Sequence, residues 1–155
     1  MALMVQATRM LAGGLPVSDT TLRSCGVAAV GLLVEQDVTG LSLQQIRDVV
    51  HLGVRQVSAE LHARQLHDFV TAEEGIAVVT VTRHGQRPLA GRITGPYRYD
   101  PAGYPGNPHV RDVRWGAYLP PGVEISDRLR RTVFPVNGAL VAPLVELAAG
   151  LPVPA

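Results

Sequence analysis

The sequence predicts an α+β domain built on a curved, barrel-like, mostly antiparallel sheet with flanking helices. Three observations predict it. Apolar residues recur near helical spacing before residue 72. Runs of branched residues replace them after residue 75. Gly and Pro then punctuate the chain at short intervals, as turns between strands do. The 155 residues read as a single domain. A chain of that size removes roughly 70 % of its unfolded surface on folding, enough for a core without staples.

The elements follow in chain order. Residues 1–11 form a short helix or strand, broken by Gly13, Gly14 and Pro16. Residues 1–25 as a whole stand as an appendage without a clear role. Residues 27–34 are small and branched and read as a buried strand. Ser42 caps a short helix that ends near residue 50. Val54, Val57, Leu61 and Phe69 mark an amphipathic helix over 55–70, closed by Glu73-Glu74-Gly75. Residues 76–82 are a strand, His84-Gly85-Gln86 a turn and residues 89–94 a second strand, together a hairpin. Gly95-Pro96 stops it. Residues 99–108 form a Gly- and Pro-rich loop, and 110–115 a third strand. A helix over 125–131, a short strand over 132–135 and a helix over 139–149 complete the chain. No internal repeat is present.

Composition closes several routes. Cys25 is the single cysteine, so neither an internal disulfide nor a cysteine-based zinc site can form. A reduced, cytoplasmic setting is expected, with no secretory signal. The apolar run 25–34 falls short of the about 20 residues a bilayer requires, so no membrane partner is expected. Every basic residue except histidine is arginine. Without lysine there is no phosphate-binding P-loop and no Schiff-base chemistry. There is no Gly-x-Ser-x-Gly elbow. His62 and His67 sit five apart, on different faces of a helix, and no cysteines complete a metal set. Neither an enzyme nor a cofactor or metal site is expected.

The charge is uneven. Residues 1–82 carry five arginines against eight acids, whereas residues 83–131 carry nine against four. A basic half on a nearly neutral chain suits a polyanion, although ordinary surface arginines give the same count. That half also holds the aromatic residues of interest. Tyr97, Tyr99, His109 and Trp115 lie on two neighbouring strands and the loop between them, and they are the candidate base pocket. Flat rings stack on a nucleobase for roughly 1–3 kcal/mol each. Extracting a base from a duplex costs a few kcal/mol, so phosphate contacts must supply the remainder. Arg83, Arg87, Arg92, Arg98 and Arg111 are the candidates for the DNA backbone. Each residue has a plainer reading. Trp115 also suits a core anchor, Tyr97 after Gly-Pro a packed corner, and His109 a loop cap.

Gly91-x-Ile93-Thr94-Gly95-Pro96-Tyr97-x-Tyr99, a variable loop, then His109-Val110-Arg111-x-Val113-x-Trp115 resembles the signature of EVE-like domains of the PUA superfamily. The likeness covers about residues 55–136 and is specific over its central twenty-five or so. It departs from the family pattern at Ile76, where an acidic residue is usual, and in having no second tryptophan. Such domains occur with bacterial modification-dependent restriction enzymes, and relatives read 5-methylcytosine. The resemblance implies a PUA-like barrel whose pocket receives a flipped base, with Tyr97, His109, Arg111 and Trp115 carried over. It implies a partner, methylated DNA, that is read with little sequence preference and not cut, since no nuclease domain is attached. Three other functions fit less closely: an RNA reader of the same superfamily, a small hydrolase or base-modifying enzyme using His109 with Asp100 or Asp112, and a partner-binding module whose aromatics fill a core.

Overall fold

The computed structural model describes residues 2–5, 19–51, 56–81, 87–125, 131–136 and 140–151. The expected turn at 84–86 and most of the expected helix at 125–131 lie outside the described residues. Among the described residues, seven strands form one mixed sheet: β1 (Ala2–Val5), β2 (Val27–Val30), β3 (Ala77–Val81), β4 (Pro88–Ile93), β5 (Arg98–Tyr99), β6 (His109–Tyr118) and β7 (Val133–Pro135). The strand order is β2-β6-β4-β3-β1-β7, with β5 also paired to β6. Among the described residues, only the β1–β3 pairing is parallel. The sheet curls into a half-barrel and stays open, so the expected α+β class holds and closure does not. The described residues also form the helices α1 (Asp19–Cys25), α2 (Leu43–His51), α3 (Gln56–Thr71) and α4 (Val141–Gly150).

The branched runs are continuous because the middle of the sheet is buried on both faces. Strand alternation sends Leu3, Val5 and Val78 into a core with Ile46 and Val50 of α2 and Ala63, Leu66 and Phe69 of α3. It sends Ala2, Met4, Ala77 and Val79 to the opposite side, against Val145, Ala148 and Ala149 of α4. This placement corrects the appendage reading for residues 2–5. All four residues of β1 are buried, and the strand sits between β3 and β7 near one edge of the sheet order. Four residues are too few for period-2 alternation to stand out, so only the tertiary pairing identifies them.

Local signals explain the helices. Gln45 N–H donates to Ser42 Oγ, and Ser42 N–H donates to Gln45 Oε1, at 3.2 and 2.8 Å. This reciprocal capping box starts α2 where the sequence placed its cap. α3 is fastened to β7 by the buried Gln65, whose Oε1 accepts the Thr132 and Val133 N–H groups at 2.7 and 2.9 Å. β4 and β6 meet across Gly91. A Cβ there would stand 2.8 Å from the Arg114 carbonyl oxygen and 2.9 Å from Cε3 of Trp115, so the ring packs on bare backbone. Among the described residues, no helix is long and apolar enough to cross a membrane.

Candidate functional site

β6 carries most of the candidate residues. His109, Arg111, Val113 and Trp115 alternate onto the face that α2 and α3 cover, and all four are buried. Buried polar groups need partners, and those partners show what each residue does.

His109 is fully buried. Its Nε2 lies 2.7 Å from the Val34 carbonyl oxygen, which can only accept, so Nε2 carries the proton. Burial holds the imidazole pKa below its ordinary 6.5, against the opposing pull of the Val34 carbonyl and Asp37. The ring is therefore neutral, and Nδ1 accepts from Tyr97 O–H at 2.8 Å. Tyr97 O in turn accepts from Val38 N–H at 3.3 Å. Burial pushes the Tyr97 phenol up to about 12, so it remains a donor across the physiological range. One chain of hydrogen bonds thus runs Val38 N–H, Tyr97, His109, Val34 C=O. It pins both sides of the 31–42 loop to the β5–β6 corner.

The rings gather there. Tyr97 stacks on His109 at 5.8 Å between centroids and 21° between planes. Tyr99 tilts against the same imidazole at 5.5 Å and 49°. Both tyrosines are half-buried. Two loops flank them. The 31–42 loop crosses the 100–108 loop at Gly31, where any Cβ would meet the Gly106 carbonyl. The 100–108 loop holds its shape through Asp100, whose Oδ1 accepts Gly103 N–H at 2.9 Å and whose N–H donates to the Pro108 carbonyl at 2.7 Å. The 31–42 loop was hidden in the sequence. The branched run continues to Val34, but the strand ends at Val30, and Gly31 is the one local sign of the exit.

Trp115 is not part of this cluster. It lies six residues along β6 from His109, about 20 Å at the rise of a strand. It is 6 % exposed and sits in the main core. The expected pocket walled by Tyr97 and Trp115 is therefore corrected: rings so far apart cannot sandwich one base. Trp115 instead borders a separate cavity of about 300 Å³ with Arg114, Gly116, Ala149, Gly150 and Leu151, and its buried Nε1 has no partner among the described residues.

The arginines are equally informative. Arg111 is buried, and its Nε and Nη1 are engaged by backbone carbonyls. Nε donates to the Gly95 carbonyl at 3.0 Å, and Nη1 to Phe69 and Val70 at 2.9 and 3.2 Å. The last two are orphan carbonyls of the final turn of α3, where a cation is favoured. The expected phosphate contact of Arg111 is corrected to a helix C-terminal clamp. Arg92 fastens α4 by donating to Glu146 Oε2 at 3.0 Å, the Glu146 carbonyl at 3.1 Å and the Gly75 carbonyl at 3.0 Å. Arg87 donates to the Leu119 carbonyl at 2.8 Å and lies 5.2 Å from the centroid of the Tyr118 ring. Arg98 pairs with Asp112 at 2.6 Å, both side chains about half exposed. Arg83 lies outside the described residues. Arg98 lies on β5, between Tyr97 and Tyr99 in the chain.

Among the described residues, no group of three His, Cys, Asp or Glu side chains could hold a metal ion. No family model, curated protein or solved structure matches the chain.

Proposed function

We propose that the protein is a non-enzymatic reader of nucleic acid that takes an extruded base, 5-methylcytosine of duplex DNA, onto the Tyr97–Tyr99–His109 cluster, and that its curled sheet is of the PUA/EVE kind. The observation that carries this reading is the pair of half-buried tyrosine rings braced by one neutral, fully hydrogen-bonded histidine. A platform for a base needs flat rings held rigidly with one face reachable, and bracing keeps the ordering cost low on binding. The signature shared with EVE-like domains falls on the same residues.

Magnitudes set what else is required. One stack yields roughly 1–3 kcal/mol, about what unstacking a base consumes. Phosphate contacts must add affinity, and Arg98 is the best placed to give one. Its pair with Asp112 is an exposed bridge, worth under about 1 kcal/mol, so the guanidinium can turn to a phosphate cheaply. Burying the cytosine methyl adds about 0.8 kcal/mol, roughly four-fold in affinity, unless the niche is shaped to it. In this reading the protein works in the cytoplasm, where the exposed thiol of Cys25 stays reduced.

The test is a binding titration with methylated and plain duplexes of one sequence, beside single-stranded RNA. The methylated duplex binds tightest, and Tyr99→Ala weakens it about ten-fold or more with an unchanged melting temperature. Equal affinity for the two duplexes removes the modification from the proposal, and preference for the RNA moves it to RNA.

A further inference from the structure

The 31–34 turn is built against ordinary backbone preference. Val34 N–H donates to the Gly31 carbonyl at 3.1 Å, closing a four-residue turn. Its two central residues are Leu32 and Leu33, with φ of 52° and 58°. Positive φ at both central positions is the geometry of a type I′ turn, which ordinarily takes Asn or Gly. Leucine there carries a Cβ clash on the order of 1–2 kcal/mol per residue. Among the described non-glycine residues, no others have positive φ.

The strain does not serve to bury both side chains. Leu32 is buried at 8 %, but Leu33 stands 74 % exposed. Burial of Leu32 and Val34 anchors the turn on either side of it. Gly31 locks the entry against Gly106, and His109 holds the Val34 carbonyl at the exit. The imidazole that braces the tyrosines therefore also fixes the turn that displays Leu33. An exposed aliphatic side chain on a pinned turn, next in sequence to the residue whose carbonyl holds His109, suits separation of stacked bases: the apolar wedge fills the step while the base leaves it.

We infer that Leu33 is the wedge that enters the duplex at the step vacated by the extruded base. The inference rests on the base-reading proposal above and adds the residue responsible for opening the stack. Its strained backbone then has a physical purpose: the turn must not yield when the side chain is pressed between bases.

The experiment compares wild type, Leu33→Ala and Leu33→Asn on two DNAs. One carries a single 5-methylcytosine opposite guanine. The other carries it opposite an abasic site, where extrusion is already cheap. Asn suits positive φ, so Leu33→Asn is expected to melt no lower than wild type while losing the wedge. Both variants are expected to bind the paired duplex about ten-fold more weakly and the abasic duplex within about two-fold of wild type. Equal losses on both DNAs, or no loss on either, overturn the wedge while leaving the reader in place. A wild-type protein that binds neither DNA overturns the reading itself, and the wedge with it.

Discussion

Arg111 and His109 carry polar side chains into the interior and hold pieces of the fold together there. Three backbone carbonyls converge on the Arg111 guanidinium. Removing the donor leaves them buried and unsatisfied, at about 1–3 kcal/mol each. Arg111→Met therefore lowers unfolding stability by about 3 kcal/mol or more, read as a lower urea midpoint. Any loss of binding by this variant follows the unfolded fraction. If the variant folds normally yet fails to bind, Arg111 is no clamp. His109 predicts a pH dependence. Its folded pKa lies below 6.5, so the unfolded chain takes up protons first as pH falls. Where the unfolded state binds more protons, stability rises with pH. The contribution is intact above pH 6.5 and is lost as pH drops through 6.5 toward the folded value. His109→Gln is expected to flatten that part of the stability profile. A slope remains from His62, whose pKa burial also lowers.

At the scale of elements, α2 shows local chemistry at its clearest. Ser42 and Gln45 satisfy each other's backbone N–H groups, so Ser42→Ala costs about 1 kcal/mol and leaves the tyrosine cluster intact. Chemical denaturation measures the first part, and binding of the methylated duplex the second. The ends of β2 and β6 show the opposite case. Branched residues continue past Val30, but the chain turns at Gly31 because the 100–108 loop crosses there. β6 extends to Tyr118, beyond the expected end at Trp115, because β4 offers a pairing partner as far as Leu89. A strand ends where its neighbour ends, and that neighbour is distant in sequence.

For the whole molecule, the asymmetry of charge overstates the cationic surface. Arg92 and Arg111 lie in the basic half, yet their guanidinium groups serve α4 and α3. Two of the nine counted arginines are thereby committed inside the fold. A plot of log affinity against log salt should change in slope by about 0.9 for each phosphate that the protein no longer neutralises. Arg98→Gln is expected to make the slope shallower by about that amount without changing the melting temperature. An unchanged slope would remove Arg98 from the interface.

The amino-acid order by itself determined the α+β class, the positions of α2, α3, β3, β4 and α4, and the gathering of Tyr97, Tyr99 and His109 near one corner. These follow from periodicity, caps and turn residues, whose physics acts over a few neighbouring positions. Tertiary structure alone decided the rest. It placed Ala2–Val5 between β3 and β7, packed Trp115 into the core, committed Arg111 to the end of α3, and brought Val34 to His109 and Val38 to Tyr97. Each of those outcomes depends on a partner dozens of residues away. Whether an arginine faces solvent or a carbonyl is set by what the fold carries to it.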